Sequence, residues 1–370
     1  MTRAYKVSAV ILIVIVVLLL SVGLVLSRNA PCGAAPPPSG QGPLMKAVVY
    51  RCYGSAEVLK LENVRKPTVA DDEVLVKVHA ASVNPLDWHY MRGTPYVMRL
   101  DSGLGAPEEP RIGVDFAGTV DAVGKDVKKF RPGDEVFGGK DGAFAEYVAV
   151  RESRAIALKP ANITFEQAAA VPIAAITALQ ALRDKGRIQP GQKVLINGAS
   201  GGVGTFAVQI AKSFGAEVTG VCSTKNVELV RSLGADHVVD YTREDFTRGG
   251  QHYDLILDTV GNRSLLENRR VLNPNGTYIG IGGGGPGEQG FLGPLFGPVK
   301  ELVLSKFVSQ KLMFFIADLN QQDLAILADL MRTGKVTPVV DRRYKLSEVP
   351  AAVTYLEAGH TRGKVVIAID

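Results

Sequence analysis

Residues 193–204 read Lys-Val-Leu-Ile-Asn-Gly-Ala-Ser-Gly-Gly-Val-Gly, and this stretch decides the fold. Its first residues, 193–196, follow a Pro-Gly turn and hardly alternate in polarity, so they predict a strand that is buried on both faces of a parallel sheet. After the glycines, apolar residues recur at three- and four-residue spacing as far as Gly215, which predicts a helix that ends there. The stretch therefore predicts a strand, a glycine-rich turn and a helix in succession.

The turn carries the relaxed form of a dinucleotide-binding fingerprint, in which small residues stand at positions 199, 201 and 204. Small residues let the chain turn tightly and let its backbone approach phosphates, and the free N–H groups of the following helix attract an anion. A plain glycine-rich loop has a similar composition, but the strand and the helix lie on the sides that the fingerprint requires. We therefore expect the turn to bind a dinucleotide pyrophosphate through Ala199, Ser200, Gly201, Gly202, Val203 and Gly204.

Composition favours a globular α/β protein. The chain has 370 residues, of which 46% are hydrophobic and 40 are glycine, so it is long enough for two domains. Its net charge of +5 is mild, and no dense basic run with interleaved aromatic residues occurs, so no nucleic-acid partner is expected. The three cysteines, Cys32, Cys52 and Cys222, and the five histidines lack the spacing of metal ligands. We therefore expect free thiols and no metal site.

The N-terminal segment predicts a membrane anchor. Residues 7–26 are an unbroken run of apolar or small residues, and a run of about 20 residues spans roughly 30 Å as a helix, the thickness of a bilayer core. A cleaved signal peptide and a misassigned start codon are alternatives, the second because Met45 begins a strand at once. The first interpretation makes the chain a single-pass membrane protein. Residues 27–44, rich in Pro, Gly, Ala and Ser, then form a semi-extended linker.

Residues 45–163 predict a β-rich domain without a long helix. Short strand-like runs alternate with explicit turns, such as the Pro-Gly-Asp turn after Arg131 and the glycine pair at Gly138. The strands are expected at 46–50, 73–81, 118–123, 135–137, 145–150 and 155–158. Such a set of short strands favours a partly open barrel.

Residues 164–318 predict a second domain that is built on the opening stretch. Thr164 to Gln167 has the form of a capping box before an alanine-rich helix. Further strands, separated by helices or turns, are expected at 217–222, 237–241, 253–258, 276–281 and 311–316. This alternation predicts the doubly wound parallel sheet of a Rossmann fold. Residues 319–370, with strands at 336–340 and 363–368 and a helix capped by Ser347, return to the first domain.

The end of the second Rossmann strand points to a phosphorylated cofactor. Ser223, Thr224 and Lys225 stand where NAD-dependent enzymes usually offer a carboxylate to the ribose hydroxyls, and no acidic residue follows until Glu228. Hydroxyl groups and a lysine attract a 2′-phosphate, which a carboxylate would repel. We therefore expect NADPH rather than NADH. A solvated turn with an incidental lysine is the alternative.

Three further motifs occur in order along the chain: ASVNPLD at 81–87, GVDFAG at 113–118 and RPGDEV at 131–136. With the glycine turn, they make residues 45–370 resemble the medium-chain dehydrogenase/reductase superfamily, and within it the zinc-free quinone oxidoreductase branch. Zinc-dependent members place a cysteine at the position of Asn84 and Gly-His-Glu at 113–115, where this chain has Gly-Val-Asp. No cysteine lies between Cys52 and Cys222 to supply the remaining ligands, so zinc chemistry is not expected.

The resemblance also implies roles for single residues. Thr177 would face the nicotinamide, although a helical threonine that bonds back to its own backbone is the alternative. Tyr241 would lie near the adenosine phosphate or ring. The ends of two later strands would meet the ribose and the nicotinamide through Thr259, Val260, Gly280 and Ile281. The same resemblance implies a homodimer that pairs through the cofactor domains.

Without a metal, the simplest reaction is hydride transfer from NADPH to a carbon that is already electron-poor, either in a quinone ring or at the β-carbon of an α,β-unsaturated carbonyl compound. Asn84, Tyr90 and Tyr96 are expected near the nicotinamide or the substrate oxygen, where either tyrosine or bulk water supplies a proton. Residues 282–297, rich in Gly and Pro, predict an irregular loop near the mouth of this site.

The N-terminal segment also bears on location and substrates. A tethered reductase would meet lipid-soluble quinones and enals at high local concentration. NADPH supply favours a cytoplasmic catalytic domain, whereas Arg3 and Lys6 against Arg28 weakly hold the N-terminus inside. The alternative from another functional class is a membrane-tethered NADPH-binding protein with weak redox activity that acts through interaction.

Overall fold

The computed structural model describes residues 21–33, 42–281 and 309–369. In the first part of the chain, β1 (Leu44–Val49) and β2 (Lys60–Arg65) form an antiparallel ribbon. The next strands belong to a larger sheet: β3 (Glu73–Val83), β4 (Asp115–Val123), β5 (Glu135–Gly139), β6 (Tyr147–Arg151) and β7 (Ile156–Leu158). Two helices lie between β3 and β4, namely α1 (Pro85–Arg92) and the short α2 (Arg99–Ser102).

A second sheet consists of six parallel strands. They are β8 (Lys193–Asn197), β9 (Glu217–Cys222), β10 (His237–Asp240), β11 (Tyr253–Asp258), β12 (Leu272–Ile281) and β13 (Lys311–Phe315). Their order across the sheet is β10-β9-β8-β11-β12-β13. The chain reverses its direction of winding after β10 and continues on the other side of β8, as in a doubly wound Rossmann sheet. The predicted Rossmann fold is therefore confirmed.

The helices around the second sheet follow the same winding. They are α3 (Phe165–Ala169), α4 (Pro172–Gln180), α5 (Gly202–Ser213), α6 (Val227–Ser232) and α7 (Leu265–Arg270). The predicted capping box before α3 is confirmed, because Thr164 Oγ1 accepts the Gln167 N–H at 3.2 Å and Gln167 Oε1 accepts the Thr164 N–H at 3.0 Å. Apart from Ile173, the residues of α4 are buried, and one apolar core runs from the second sheet past α4 to Ala117 and Phe137 of the first.

The end of the chain returns to the first sheet. It contains α8 (Gln321–Arg332), β14 (Val340–Lys345), α9 (Val349–Glu357) and β15 (Lys364–Ala368). The first sheet has the order β14-β15-β3-β4-β5-β7, and β6 pairs with the first half of β3. β15 is antiparallel to the second half of β3, so that the last strand of the chain lies beside the residues that lead into α1.

The structure differs from the sequence expectations in local details. β2 was not expected, because none of its residues is buried and they carry no apolar pattern. α9 begins after Glu348, and Ser347 lies in the preceding short 3-10 helix instead of capping α9. The strand expected at 336–340 is observed later in the chain, as β14, which begins at Val340. The loop expected at 282–297 lies outside the described residues.

The prediction of an N-terminal transmembrane helix is corrected. Residues 1–20, which include most of the apolar run at 7–26, lie outside the part of the chain that the structure describes. Within the described ranges, no helix is both long enough and apolar enough to cross a bilayer. We therefore correct three predictions: the single-pass anchor, the membrane as a partner through residues 7–26, and the membrane localisation.

The expected linker also differs from what is observed, because residues 26–32 pack on the first domain. Arg99 Nη1 donates to Leu26 O at 2.9 Å and to Arg28 O at 3.0 Å, and the Ala30 N–H donates to Gly105 O at 2.8 Å. A disulfide joins Cys32 to Cys52, whose Cα atoms are 4.9 Å apart. The expectation of free thiols is thus wrong for this pair, because residues 20 apart in sequence are neighbours in space. It holds for Cys222, which is free and buried.

Candidate active site

A group of buried polar residues lies where the end of β3 meets β4 and β15. We call this group the polar cluster, and its members are Ser82, Asn84, Asp87, Asp115 and Lys364. Each member is at most 4% exposed. Buried polar groups of this kind persist in a fold only when they bond to one another, because each would otherwise lose its water without compensation.

Asp115 is the hub of the polar cluster. Its Oδ2 accepts hydrogen bonds from Ser82 Oγ and from Asn84 Nδ2, both at 2.9 Å. Its Oδ1 accepts the Ile173 N–H at 3.0 Å, at the first turn of α4. A carboxylate at this end of a helix is favourable because the free N–H groups point toward it. Asp115 therefore joins β3, β4 and α4.

Lys364 supplies the positive charge of the polar cluster. Its Nζ donates to Val83 O at 3.2 Å and to Asn84 Oδ1, and it lies 3.5 Å from Asp115 Oδ2. Burial raises the pKa of the Asp115 carboxyl and lowers the pKa of the Lys364 ammonium, and the attraction between the two groups offsets part of each shift. The second amide N–H of Asn84 goes to Ser82 O at 3.3 Å, so both amide hydrogens are used within the protein.

Asp87 is less completely bonded. Its Oδ2 accepts the Asn84 N–H at 2.7 Å, which ties the start of α1 to the end of β3. Its Oδ1 is buried and has no hydrogen-bond partner in the described structure. Burial raises the pKa of Asp87 to about 8, although the Asn84 N–H opposes the shift. The carboxyl is therefore neutral at mildly acidic and neutral pH.

We predict that Asp87 makes the protein less stable as pH rises. The folded-state pKa of about 8 lies above the ordinary value of 3.8, so between these two values the folded chain holds a proton that the unfolded chain has released. The free energy of unfolding then falls by about 1.4 kcal/mol per pH unit from this group. In Asp87→Asn, whose amide oxygen still accepts the Asn84 N–H, this contribution should vanish. Urea unfolding of both proteins across this window measures it, and equal pH slopes would contradict the assignment.

The glycine turn has the geometry of a phosphate site. Gly198 has a positive φ of 86°, and the N–H groups of Gly198 and Ala199 both donate to Val221 O on β9. The first hydrogen bond of α5 runs from the Thr205 N–H to Gly201 O at 3.0 Å. The N–H groups before it, including those of Gly202 to Gly204, are thus free of helix carbonyls and can bind an anion.

Space at the turn also fits a dinucleotide. A Cβ at Gly201 would meet only Gly198 O, at 3.4 Å, so the backbone there is open on its outer side. A Cβ at Gly204 would lie 2.0 Å from Gly198 O, so glycine is required there for the helix to pack against the turn. Openness at one glycine and close packing at the other are what the fingerprint demands of these two positions.

The turn after β9 is held by side-chain hydrogen bonds. Asn226 Nδ2 donates to Ser200 Oγ at 3.0 Å and to Ser223 Oγ at 3.3 Å, which connects this turn to the glycine turn. Thr224 Oγ1 donates to Asp240 Oδ2 at 2.5 Å. Lys225 is exposed. The three residues that were predicted to meet the 2′-phosphate thus lie together at the end of β9.

Asp240 is an acidic residue that was not predicted to lie at the turn after β9. It ends β10 beside Thr224, and its carboxylate also accepts the hydroxyl of Thr242 at 2.7 Å. Hydrogen bonding by Thr224 and Thr242, together with nearby Arg243, lowers the pKa of Asp240. The charge of this carboxylate is therefore largely satisfied inside the protein.

The remaining predicted cofactor residues lie at the carboxyl ends of the parallel strands. Asn197, Asp258 and Gly280 are register partners on β8, β11 and β12. Thr259 follows β11 and donates its hydroxyl to Asn197 O at 2.9 Å, Val260 is exposed, and Ile281 ends β12. Ligands of open α/β sheets bind at this edge. Tyr241 follows β10 and is 49% exposed.

Thr177 and the two tyrosines occupy three different surroundings. Thr177 lies in α4 and donates its hydroxyl to Ile173 O at 2.7 Å, the backbone bond that was the alternative interpretation. Tyr90 lies on α1, half-buried, and its hydroxyl has no hydrogen-bond partner among the residues described; burial raises its pKa. Tyr96 lies with its ring 4.8 Å from Arg99 Cζ. Tyr90 therefore lies on the helix that Asn84 precedes as its N-cap, whereas Tyr96 lies beside Arg99.

Asp115 and Lys364 were not predicted as site residues, and neither was the buried position of Arg99. Arg99 is 1% exposed and stacks on Tyr53 as well as Tyr96 while it bonds to residues 26–28. Lys364 did carry a signal, since it is a charged residue at the start of the apolar strand β15. A lysine in a strand that is otherwise buried indicates a buried acidic partner.

Two family models match the chain: the alcohol dehydrogenase GroES-like domain over residues 70–160 and the zinc-binding dehydrogenase over residues 233–367. With the relatives below, they show that the chain belongs to the medium-chain dehydrogenase/reductase superfamily, in its zinc-free quinone oxidoreductase branch. It is an oxidoreductase that uses NAD(P)H. Asn84 and Val114 stand where zinc-dependent members have cysteine and histidine, and no three metal-ligating side chains meet within residues 21–33, 42–281 and 309–369.

Three relatives illustrate the match. The mitochondrial NAD(P)H oxidoreductase RTN4IP1 of Mus musculus is 36% identical over 90% of this chain and 91% of its own length. The chloroplastic NADPH-dependent alkenal/one oxidoreductase of Arabidopsis thaliana is 37% identical over 87% of this chain and 79% of its own. The solved quinone oxidoreductase of Coxiella burnetii is 30% identical, with a TM-score of 0.78 over 89% of this chain and all of that one.

Proposed function

We propose that this chain transfers hydride from NADPH to quinones or to the β-carbon of α,β-unsaturated carbonyl compounds. One observation carries the proposal: the glycine turn lies directly against the polar cluster, because the Gly363 N–H, next to Lys364, donates to Ser200 O at 2.9 Å. The cofactor edge of the Rossmann sheet and Asn84, which stands at a zinc-ligand position of related enzymes, would thus belong to one site. The printed names of the relatives from Arabidopsis thaliana and Coxiella burnetii support these two acceptor classes.

The protein's own residues bind, orient and shield the reactants. NADPH, when bound, supplies the hydride. The glycine turn would hold the pyrophosphate, and the strand ends at Thr259 and Gly280 would line the path toward the nicotinamide. Because the Asn84 amide is used within the polar cluster, we assign it a holding role in place of direct donation to the substrate. Acceptors that are already electron-poor need little additional activation, so orientation and exclusion of water are the main contributions.

The acceptor gains a hydride at carbon, and the charge that develops on its oxygen is balanced by a proton. Tyr90 is our candidate donor. Its hydroxyl makes no hydrogen bond to the described residues, and a tyrosine hydroxyl carries its proton at neutral pH. Tyr96, held on Arg99, is better placed to shape the surface beside residues 26–28. The predicted homodimer and the domain boundaries at 163 and 318 stay predictions.

Transient kinetics with purified protein test the proposed function. NADPH oxidation is followed after mixing with a panel of quinones and enals, and turnover with at least one class is expected. Tight NADPH binding without turnover on either class would remove the interpretation as an enzyme of this kind. Protein that has been heat-denatured serves as the control for direct chemical reduction of the quinones.

Lys225→Asp should weaken NADPH binding much more than NADH binding. The substitution removes a cation from the exposed turn after β9 and adds an anion beside the expected 2′-phosphate. A charge-assisted contact contributes about 1.5–3 kcal/mol, so NADPH affinity should fall by about 10- to 150-fold while NADH affinity changes little. Calorimetric titration with both cofactors measures this difference. Lys335→Asp, the same charge change at an exposed site on the other domain, is the control, and equal losses for both cofactors would refute the assignment.

A further inference from the structure

Lys364 reaches across the junction of the two domains. It follows Gly363, which forms a parallel bridge with Gly201 of the glycine turn. Its stem lies close to the turn, since a Cβ added to Gly202 would come within 3.1 Å of Lys364 Cδ. Its ammonium ends at Asn84 Oδ1 in the polar cluster. One side chain thus contacts both the cofactor turn and the end of β3.

We propose that Lys364 is a positioning residue that couples the glycine turn to Asn84, so that a dinucleotide bound on the turn sets the position of α1 beside the reacting atoms. The proposal rests on the proposed function. It adds a residue that touches neither the pyrophosphate nor the acceptor and that acts through Asn84.

Packing alone does not require a charged side chain at position 364. Val365, Val366 and Ile367, which follow it on β15, are fully buried apolar residues, and an uncharged side chain of the same length would pack there without the cost of burying an ammonium. The ammonium adds hydrogen bonds in defined directions. Its three N–H groups have three acceptors, Val83 O, Asn84 Oδ1 and Asp115 Oδ2, which lie on β3, directly after it and on β4. A shift of the glycine turn relative to the first sheet must strain these bonds.

The coupling continues from Asn84 into α1. The Asn84 N–H donates to Asp87 Oδ2, and the same helix carries Trp88 and Tyr90. Trp88 is 6% exposed and is the only tryptophan of the chain. Its emission therefore reports on the surroundings of α1 without a label, and Tyr90 would move with it.

The test titrates NADP⁺ into the full chain and reads both binding heat and Trp88 emission. NADP⁺ is used because it does not absorb the tryptophan emission. In the unmodified protein, Trp88 emission should change as the cofactor saturates. In Lys364→Met, NADP⁺ affinity should stay within about threefold, the emission change should be lost, and hydride transfer to a quinone or enal should slow by about 100-fold through misplacement.

A matched control is available two residues earlier. Arg362 is exposed, so Arg362→Met removes one positive charge from the same region without touching the polar cluster. It should bind NADP⁺ and change Trp88 emission as the unmodified protein does. If Arg362→Met also lost the emission change, general charge and not the bond to Asn84 would be responsible, and the proposal would be wrong.

The double variant Lys364→Met/Asp115→Asn separates coupling from charge balance. It removes both members of the buried ion pair, so it should fold even where Lys364→Met alone does not, because no unpaired charge stays buried. The emission change should still be absent, because the bond from Nζ to Asn84 is gone. Its return would show that Lys364 only neutralises Asp115.

Two results with the unmodified protein would also be decisive. Cofactor binding without any change in Trp88 emission would overturn the coupling. Failure to bind NADP⁺ at all would overturn the proposed function and the coupling with it.

Discussion

Gly204→Ala is expected to cost the protein about 3 kcal/mol or more of its unfolding free energy. The added Cβ would lie 2.0 Å from Gly198 O and 2.8 Å from Ala199 Cα. Both are backbone atoms of the turn between β8 and α5, so neither can rotate away as a side chain would. The N-terminal end of α5 would have to move away from the turn, although Phe206 and Ala207 just after it are fully buried in the apolar core.

Urea unfolding with linear extrapolation measures this loss. Gly249→Ala is a suitable control, because Gly249 has a negative φ and a Cβ there would meet only Phe246 O at 3.8 Å. That variant should unfold at nearly the same urea concentration as the unmodified protein. A Gly204→Ala protein of unchanged stability would show that α5 does not pack on the turn as described.

Gly201→Ala should leave the fold intact and abolish most cofactor binding. Gly201 has φ −82° and ψ 179°, values that alanine adopts readily, and its Cβ would meet only Gly198 O at 3.4 Å. The methyl group would instead occupy the space through which the pyrophosphate approaches the backbone. We expect the unfolding free energy to change by less than about 0.5 kcal/mol and the NADPH dissociation constant to rise by about 100-fold, which corresponds to about 2.7 kcal/mol.

Calorimetric NADPH titration, paired with urea unfolding of the same sample, measures both effects. Three positions separate this glycine from Gly204, yet one substitution should damage the fold and the other the cofactor site. Unchanged NADPH affinity in Gly201→Ala would mean that the pyrophosphate does not lie on this turn.

Much of the Rossmann domain could be predicted from the sequence because its signals are local. The strand at 253–258 and the capping box at Thr164 depend on residues that are neighbours in the chain. Parallel strands buried on both faces stand out as short apolar runs, and glycines mark the turns between them. The carboxyl ends of such strands meet at one edge, so the general place of the cofactor residues followed from the same signals.

The polar cluster could not be assembled in this way. Lys364 and Asn84 are 280 residues apart in sequence, and their contact depends on the pairing of β15 with β3. Periodicity identifies β15 as a strand but does not say which strand lies beside it. The disulfide between Cys32 and Cys52 had the same difficulty, since a cysteine count of three gave no indication of the pair.

The apolar N-terminal run shows a different limit of sequence reasoning. Hydropathy measures the composition of a segment and does not show whether other parts of the protein contact the ends of that segment. At residue 26, the end of the predicted span, Leu26 is 4% exposed and its carbonyl accepts a hydrogen bond from the buried Arg99. Arg99 also stacks on Tyr96, which had been predicted to lie at the substrate.

Isotope transfer from the cofactor tests whether this chain moves a hydride from NADPH to an electron-poor carbon, as we propose. NADPH that is deuterated at C4 of the nicotinamide, on each face in turn, is consumed with an enal, and the product is examined by NMR. We predict deuterium at the β-carbon of the product for one face only, because the bound cofactor presents a single face to the acceptor. NADPH consumption that leaves the β-carbon without deuterium for both faces would show that the cofactor hydride does not reach this carbon.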